Sequence, residues 1–439
     1  MVLTYNSLHR IFFIYYYIRR SVLSGLFLFF TSNIFAFDSK PIISNIDIIG
    51  LTKTKPYIVK REIHHPIDST IDSSKADLDR NRIFNLGLFD EVTWRLVPLE
   101  DGSNILQFSL IESIYKLPPI ILPSYDEEKG WSLLGSVLIK NFQGKNRAIE
   151  LNGSTGAQKK IRLLFSDPWI FGNHVSLVMY AEKNSYNHLF LDRIVSVNTI
   201  RMDLGKWYGE RIKVRFSPAI VEKNYTNDID TLIYNYFIPE LKLVYDTRDI
   251  YWYPRKGIRL INKFVPLLGQ NKFFIWNQSY SIYLPIFESK HNITIAMNIT
   301  SKNQWGYRDN VWLSYFGNSY NIRGWDLPET KNINNISNNF RFGHEHLFST
   351  IEVRKLIIPK YHSRQGILNG LCVVGFLDGG LIFNKWSKTN HENFLGGVGV
   401  GIRIPIPILE SIRIDLGWGF RSTKFNKNPV LHFAIQQKF

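Results

Sequence analysis

From Ser411 to Arg421 the chain alternates without a break: Ile412, Ile414, Leu416, Trp418 and Phe420 on one parity, Arg413, Asp415, Gly417, Gly419 and Arg421 on the other. The last stretch, Asn428–Phe439, repeats it, with Leu431, Phe433, Ile435 and Phe439 against His432, Gln436 and Lys438. A strand sends successive side chains to opposite faces, so each segment has one apolar face and one face of charge and glycine. Arg147–Gly153, Lys160–Phe165, His174–Ala181, Ile212–Val221, Phe274–Leu284 and His291–Thr300 also read as strands, with turn signals between them. No convincing helix follows Ser113. A water-soluble sandwich shows such alternation too. Its recurrence over most of the chain, ending on an aromatic residue, predicts a closed barrel with a lipid-facing exterior and a polar lumen. The Asn-rich stretch Lys331–Asn339 has no periodicity and reads as a solvent loop.

Before residue 113 the period changes. Ile42–Ile49 reads as a strand ending at Gly50, and Lys55–Ile63 as a short helix. A second helix runs through Leu86, with Ser73 or Ser74 as its N-cap and Gly87 at its stop. Phe89–Val97 and Asn104–Ile111 form a hairpin about Asp101-Gly102, with Leu106, Phe108 and Leu110 on its buried side. The order is strand, helix, helix, strand, strand.

Composition sharpens this picture. A chain of 439 residues has room for one large barrel and one small domain, and its 22 Tyr and 11 Trp suit two interfacial girdles. A mean hydropathy of −0.12 excludes a multi-span helical protein but not a barrel. Arg19 and Arg20 precede the apolar run Val22–Phe30, with Ala36 before a possible cleavage point, so residues 1–36 read as a secretory signal; an uncleaved anchor is the alternative. The net charge is +16, and losing Arg10, Arg19 and Arg20 leaves 16 − 3 = +13. That charge fits a basic lumen and loops near anionic headgroups. No basic helix or aromatic–basic module supports nucleic-acid binding. Cys372 is the only cysteine, so no intramolecular disulfide forms.

No catalytic constellation is present, and no cofactor is expected. There is no G-x-S-x-G. The run Gly397-Val398-Gly399-Val400-Gly401 superficially suggests a dinucleotide site, but its alternation is that of a strand and no βαβ unit follows. His64 and His65 with Asp68 or Asp72 are the one metal candidate, against the plainer reading of a solvated surface pair.

Four motifs carry a family resemblance. They are Asn321-Ile322-Arg323-Gly324-Trp325 after Phe316-Gly317; Phe376-Leu377-Asp378-Gly379-Gly380; Tyr245-Asp246-Thr247-Arg248-Asp249 before Tyr253-Pro254-Arg255-Lys256-Gly257; and the glycine run with Arg403, Pro405 and Arg413–Gly417. Asn141-Phe142-Gln143-Gly144 looks like the first barrel hairpin, and Phe165–Trp169 like the next turn. In order and spacing the chain resembles the outer-membrane protein assembly superfamily, the BamA- and TamA-like barrels. Ile46–Leu51 and Asn85–Val92 likewise resemble a POTRA domain. The resemblance implies a mainly β protein: a 16-stranded antiparallel transmembrane barrel over residues 114–439, behind one α+β POTRA domain over 37–113. It further implies that the loop motif Ile322, Arg323, Gly324 and Trp325 folds into the lumen. Its partners there would lie on the strand of Phe376, Asp378 and Gly380, whose first two residues share a parity. Phe433, Ile435 and Phe439 would form a C-terminal signal on a seam between Gly130–Asn141 and Asn428–Phe439. Such proteins are not enzymes. The expected setting is the outer membrane of a diderm bacterium, the POTRA domain in the periplasm. Expected partners are unfolded outer-membrane proteins, outer-membrane lipids, and periplasmic or lipoprotein accessory factors. A two-partner-secretion translocator and a passive pore are the alternatives.

Overall fold

The computed structural model describes residues 41–439, apart from 114–118, 172–174, 252, 287–292, 329–339, 359–369, 387–392, 407–409, 422–423 and 436–437. The signal-like segment 1–36 and the loop Lys331–Asn339 lie outside the described residues.

The N-terminal unit comprises β1 (Ile42–Ile49), α1 (Pro56–Lys60), β2 (Ser69–Thr70), α2 (Ser73–Asn85), β3 (Phe89–Pro98) and β4 (Asn104–Glu112). Its sheet has the order β2-β1-β4-β3, with β1 parallel to β4 and β3 antiparallel to it. Ile58, Val59 and Ile83 of the helices close over Ile43, Leu106 and Phe108 of the sheet. The hydrophobic effect holds these layers together. Helix α1 is shorter than the expected Lys55–Ile63. It starts at Pro56, whose fixed φ suits a first helical position. The N-cap of α2 is Asp72 rather than Ser73 or Ser74. Its carboxylate accepts from the Ser74 and Lys75 N–H groups, which a serine hydroxyl does more weakly at a positive helix end. The two histidines have separate structural roles. The His65 ring accepts from the Asp72 N–H at 3.0 Å, while His64 pairs with Glu210 at 2.6 Å. No metal-holding cluster occurs among the described residues.

The remaining strands form one large antiparallel sheet. In order they are β5 (Ile120–Asp126), β6 (Gly130–Phe142), β7 (Arg147–Gly156), β8 (Gln158–Asp167), β9 (Val175–Asn187), β10 (Ile194–Tyr208), β11 (Ile212–Thr226), β12 (Thr231–Asp246), β13 (Gly257–Gly269), β14 (Phe273–Ile286) and β15 (Ile293–Gly306). After the short pair β16 (Ser314–Tyr315) and β17 (Phe342–Gly343) come β18 (Glu345–Ile358), β19 (Leu371–Phe383), β20 (Phe394–Ile406), β21 (Glu410–Arg421), the short β22 (Lys424–Phe425) and β23 (Val430–Ile435). The strand order runs round a lumen until β23 stands beside β5. Among the described residues, paired register joins each long strand to the next.

The alternation has the expected sense on β21. Arg413, Asp415, Gly417 and Gly419 point inward and are buried, whereas Ile412, Ile414, Leu416, Trp418 and Phe420 form the outer surface. The expected first strand, Gly130–Asn141, is in fact the second. β5 precedes it and carries Pro123, which has no N–H to give and belongs at a sheet edge. Asn141–Gly144 is accordingly the second turn of the sheet, and it abuts the N-terminal unit. Asn141 Nδ2 donates to Thr54 Oγ1 at 2.8 Å and the Lys55 N–H to Gly144 O at 2.9 Å. Phe439 also departs from expectation. Lys438 and Phe439 lie outside the strand, and Phe439 leaves the outer parity of Leu431 and Phe433 to pack inside on Tyr283 and Ala296. Among the described residues no helix is long and apolar enough to cross a membrane.

Candidate functional site

The chain between β15 and β18 folds inward and delivers Asn321–Trp325 to the inner wall formed by β18 to β21. The local sequence explains how. Gly324 has φ +89°, a left-handed conformation that costs glycine little. A side chain at Gly397 would overlap the Arg323 carbonyl, and one at Gly419 would meet Gly324 O. The inward glycines of β20 and β21 are therefore the floor on which the loop lies, a use of the glycine run that alternation alone did not reveal.

Arg323 is fully buried. Its Nε and Nη2 donate to the two oxygens of Asp378 at 2.7 and 2.9 Å, a bidentate fork, and its own N–H reaches Asp378 Oδ2 at 3.1 Å. The guanidinium lies 3.5 Å from the centre of the Phe376 ring. Nη1 donates to Glu352 Oε1 at 2.8 Å and to Asp415 Oδ2 at 3.1 Å. Arg403 binds Asp415 Oδ1 at 2.5 Å and Glu352 Oε1 at 3.1 Å, and Arg354 Nε binds Glu352 Oε2 at 2.9 Å. Lys438 Nζ completes the cluster on Asp378 Oδ1 at 2.9 Å.

The structure thus brings Arg323, Phe376 and Asp378 together, as the resemblance implied. Ile322 packs with Phe316, Phe348, Ile382 and Leu395, and Trp325 donates from Nε1 to Gly396 O at 2.9 Å. Gly380 stands apart from the guanidinium. It lets β19 approach Phe348 of β18 closely. Phe433 lies on the outer face, half-buried.

Glu352 and His432 stand in no motif, and Arg403 and Asp415 stand in the fourth motif without a role in the site. Parity flagged Asp415 and His432 as inward, but only strand register shows that they meet the loop. Gly324 donates its N–H to His432 Nε2 at 2.9 Å, so that nitrogen is unprotonated and Nδ1 carries the proton. Nδ1 then donates to Glu127 Oε1 at 2.6 Å, and Glu127 Oε2 accepts from the Ser319 N–H at 2.8 Å. Glu128 accepts from the Tyr315 hydroxyl at 2.6 Å. The loop therefore holds β23 through His432 and the β5–β6 turn through Glu127 and Glu128.

An inward loop motif locked on a late-strand aspartate, above a wall of glycines, is the arrangement that comparison with known families resolves. The Omp85 superfamily domain matches residues 141–439. The chain belongs to the Omp85 superfamily. That membership places it among outer-membrane β-barrel proteins that insert or translocate other proteins, and whose members are transporters and assembly factors rather than enzymes. A comparison with curated protein sequences finds no match. Among solved structures, BamA from Haemophilus ducreyi lacking POTRA domains 1–3 is similar at a TM-score of 0.55 and 14% identity, over 90% of this chain and 83% of that one. CdiB from Acinetobacter baumannii has a TM-score of 0.55 and 14% identity over 90% of this chain and 74% of that one. CdiB from Escherichia coli reaches 0.59 at 11% identity, over 90% and 75%. At these identities the likeness is one of fold. Asp378, Glu352 and Asp415 are each engaged by cations, so this part of the site acts as a lock between a loop and a wall.

Proposed function

We propose that this Omp85 protein inserts unfolded outer-membrane β-barrel proteins by templating their strands at the junction of β23 and β5. In this reading residues 37–113 are a single POTRA domain in the periplasm of a diderm bacterium, reached by way of a signal at 1–36. Residues 114–439 are the barrel. Counting β5–β15, β18–β21 and β23 as spanning strands gives sixteen. Clients arrive by β-augmentation on the N-terminal unit, helped by periplasmic or lipoprotein factors, and leave into the outer-membrane lipid.

The observation that carries this reading is the junction itself. Among the described residues β5 and β23 have 7 and 6 residues, against 13 and 12 for their neighbours β6 and β21. Pro123 removes one donor from β5. Side-chain contacts through the loop, at Glu127 and His432, also tie the two sides together. In lipid an unpaired strand edge is costly, so an edge that opens offers a client's backbone the partners that lipid denies it.

One observation favours a second reading, translocation of a dedicated substrate through the lumen. A cavity of about 1500 Å³ lies between α2 and the adjoining turns of the sheet, and Lys140, Arg147, Lys206, Lys213, Arg215 and Arg248 line it.

The test uses the purified protein in liposomes, with unfolded barrel clients added and their folding followed by heat-modifiable gel mobility. Insertion predicts faster folding than in empty liposomes, with the acceleration lost in Arg323→Ala. No acceleration together with clear ion conductance would overturn insertion in favour of translocation or a passive pore.

A further inference from the structure

One row of the inner wall, away from the lock, sets like charges side by side. Lys213 and Arg215 share the inward parity of buried Ser217, Ala219 and Val221 on β11, while Ile212, Phe216 and Ile220 face out. Lys242 has the parity of buried Glu240 and Asp246 on β12, Lys263 that of Leu267 on β13, and Lys302 that of Asn298 and Gln304 on β15. Register puts these cations in line. Arg215 is the direct partner of Lys242, Lys242 of Lys263, Lys263 of Asn277, and Asn277 of Lys302. The row starts near Ile212, beside the turn whose Glu210 meets His64 and Arg82 of the N-terminal unit. It passes the middle of β13 and ends near Gly306, at the far end of β15. There Lys302 Nζ donates to Ser314 Oγ of the lumen loop at 2.8 Å.

Like charges directly opposite one another destabilise a sheet. A wall that served folding alone would offer them carboxylates, and the carboxylates nearby are occupied by other cations. Arg201 binds Asp203 Oδ1 at 2.7 Å and Glu240 Oε1 at 3.0 Å, and Arg248 forks onto Asp246 at 2.9 and 2.8 Å. Arg215 reaches Asp203 only at 3.7 Å. Lys242 and Lys263 have no ion pair or hydrogen bond among the described residues. Apolar side chains line the same path. Val244 and Ile261 are register partners and face inward next to the row on one side, and Val265 faces inward on the other. The cavity beside α2 includes Lys213 and Arg215 in its wall, so the row is reached from there. Adjacent strands lie about 4.8 Å apart, so the path from Arg215 to Lys302 crosses roughly 19 Å, the length of about six extended residues. Side chains on one face of an extended chain recur about every 6.6 Å, a step that flexible lysine arms can match. A phosphate polymer would satisfy the cations but would leave Val244, Ile261 and Val265 without a partner.

We propose that Arg215, Lys242, Lys263 and Lys302 form a luminal track for an extended polypeptide segment in which acidic and apolar residues alternate. Its carboxylates lie on the cations and its apolar side chains on Val244, Ile261 and Val265. The cavity beside α2 is the entrance. The proposal goes beyond insertion at the junction of β23 and β5, and it deepens the translocation reading, on which it rests for the route through the lumen.

The test is peptide binding to the full-length protein in zwitterionic detergent micelles, read by fluorescence anisotropy. The probe is the labelled peptide Glu-Val-Glu-Val-Glu-Val with both ends capped, so that no terminal charge takes part. Replacing its Glu with Gln is expected to weaken binding roughly tenfold or more, and replacing its Val with Ser roughly threefold or more. The double variant Lys242→Gln, Lys263→Gln is expected to lose affinity for the probe roughly tenfold or more. It should keep or raise the melting temperature, because it relieves repulsion between register partners. Lys183→Gln, on the exposed outer parity of β9, is expected to change nothing. Equal binding of the Glu and Gln peptides to the unaltered protein would overturn the proposal without any variant. Full binding by the double variant would overturn it too. So would indifference to Val together with tighter binding of inorganic tripolyphosphate, which marks a phosphate site. Client folding and conductance in liposomes are scored separately. Conductance without charge-specific binding removes the track and keeps translocation. Charge-specific binding with accelerated folding and no conductance keeps the track and removes translocation.

Discussion

His432 on the last strand donates through Nδ1 to Glu127 in the turn of the first hairpin, 2.6 Å away across the junction of the sheet. The same imidazole accepts the Gly324 N–H at 2.9 Å, so one ring joins the last strand, the first hairpin and the lumen loop. Junction and loop are thereby mechanically coupled: neither side moves freely while Gly324 stays seated.

Breaking that bridge should loosen β23 first. Glu127→Ala leaves a buried imidazole donor unpaired, and a hydrogen bond to a charged group is worth about 1.5–3 kcal/mol. Opening of the junction should rise roughly 10- to 100-fold. Hydrogen exchange of the Leu431–Ala434 amides is the measurement. Protection unchanged from the parent protein would mean that the bridge does not hold the strand.

Arg323→Ala strips Asp378, Glu352 and Asp415 of a shared cation in a site with no solvent exposure. Removing one partner of a buried ion pair costs about 3–5 kcal/mol. Most of that cost should fall on the loop rather than on the wall, whose register rests on backbone ladders. A folded barrel with a protease-sensitive loop is expected. Arg323→Lys should behave more like Ala than like the parent, because a single ammonium cannot supply the fork to Asp378 or the planar stack on Phe376. Limited proteolysis beside heat-modifiable mobility separates the two effects.

The sequence displayed the parts of this site that are local and hid those that are not. The inward and outward faces of β21 follow from alternation alone. Arg323, Phe376 and Asp378 stand in motifs whose order is visible along the chain. Glu352 carries no motif and the glycine-run motif assigns Arg403 no partner; both reach the loop only because register places their strands beside β19 and β21. β5 was hidden by its own chemistry. Pro123 and a strand of 7 residues weaken the pattern at the very edge where a weak strand suits the fold. Parity does not place Phe439 because it holds only while a strand continues, and Lys438 and Phe439 lie outside β23.

The glycine floor offers a control within the same sheet. A Cβ added at Gly397 would collide with the backbone of Arg323, whereas one at Gly375 on β19 would meet nothing within 4 Å. Gly397→Val should therefore expel the loop tip at a cost of about 1–3 kcal/mol, the usual range for overpacking. The charged residues of the lock would all remain. Gly375→Val should leave loop protection unchanged. Equal loop protection in the two variants would show that the loop does not need the floor.

The contact between the N-terminal unit and the sheet should depend on pH through Glu112. This carboxylate accepts the Thr54 N–H at 2.8 Å, the Lys53 N–H at 3.1 Å and the Thr52 hydroxyl at 2.6 Å, and so shapes the turn that meets Asn141 and Gly144. Partial burial by itself would raise its pKa, but the hydrogen bonds from Thr52, Thr54 and Lys53 outweigh it and hold the group below the usual carboxylate range. A depressed folded-state pKa means stability that is fully present above the unfolded value and is lost as pH falls through the folded one. Acidification below the ordinary carboxylate range should therefore free the Thr52–Lys55 turn, and Glu112→Gln should free it already at neutral pH. Hydrogen exchange at Lys53, Thr54 and Lys55, followed from neutral to acidic conditions, checks both. A turn that stays protected in Glu112→Gln would shift the coupling to the Asn141–Thr54 and Lys55–Gly144 bonds alone.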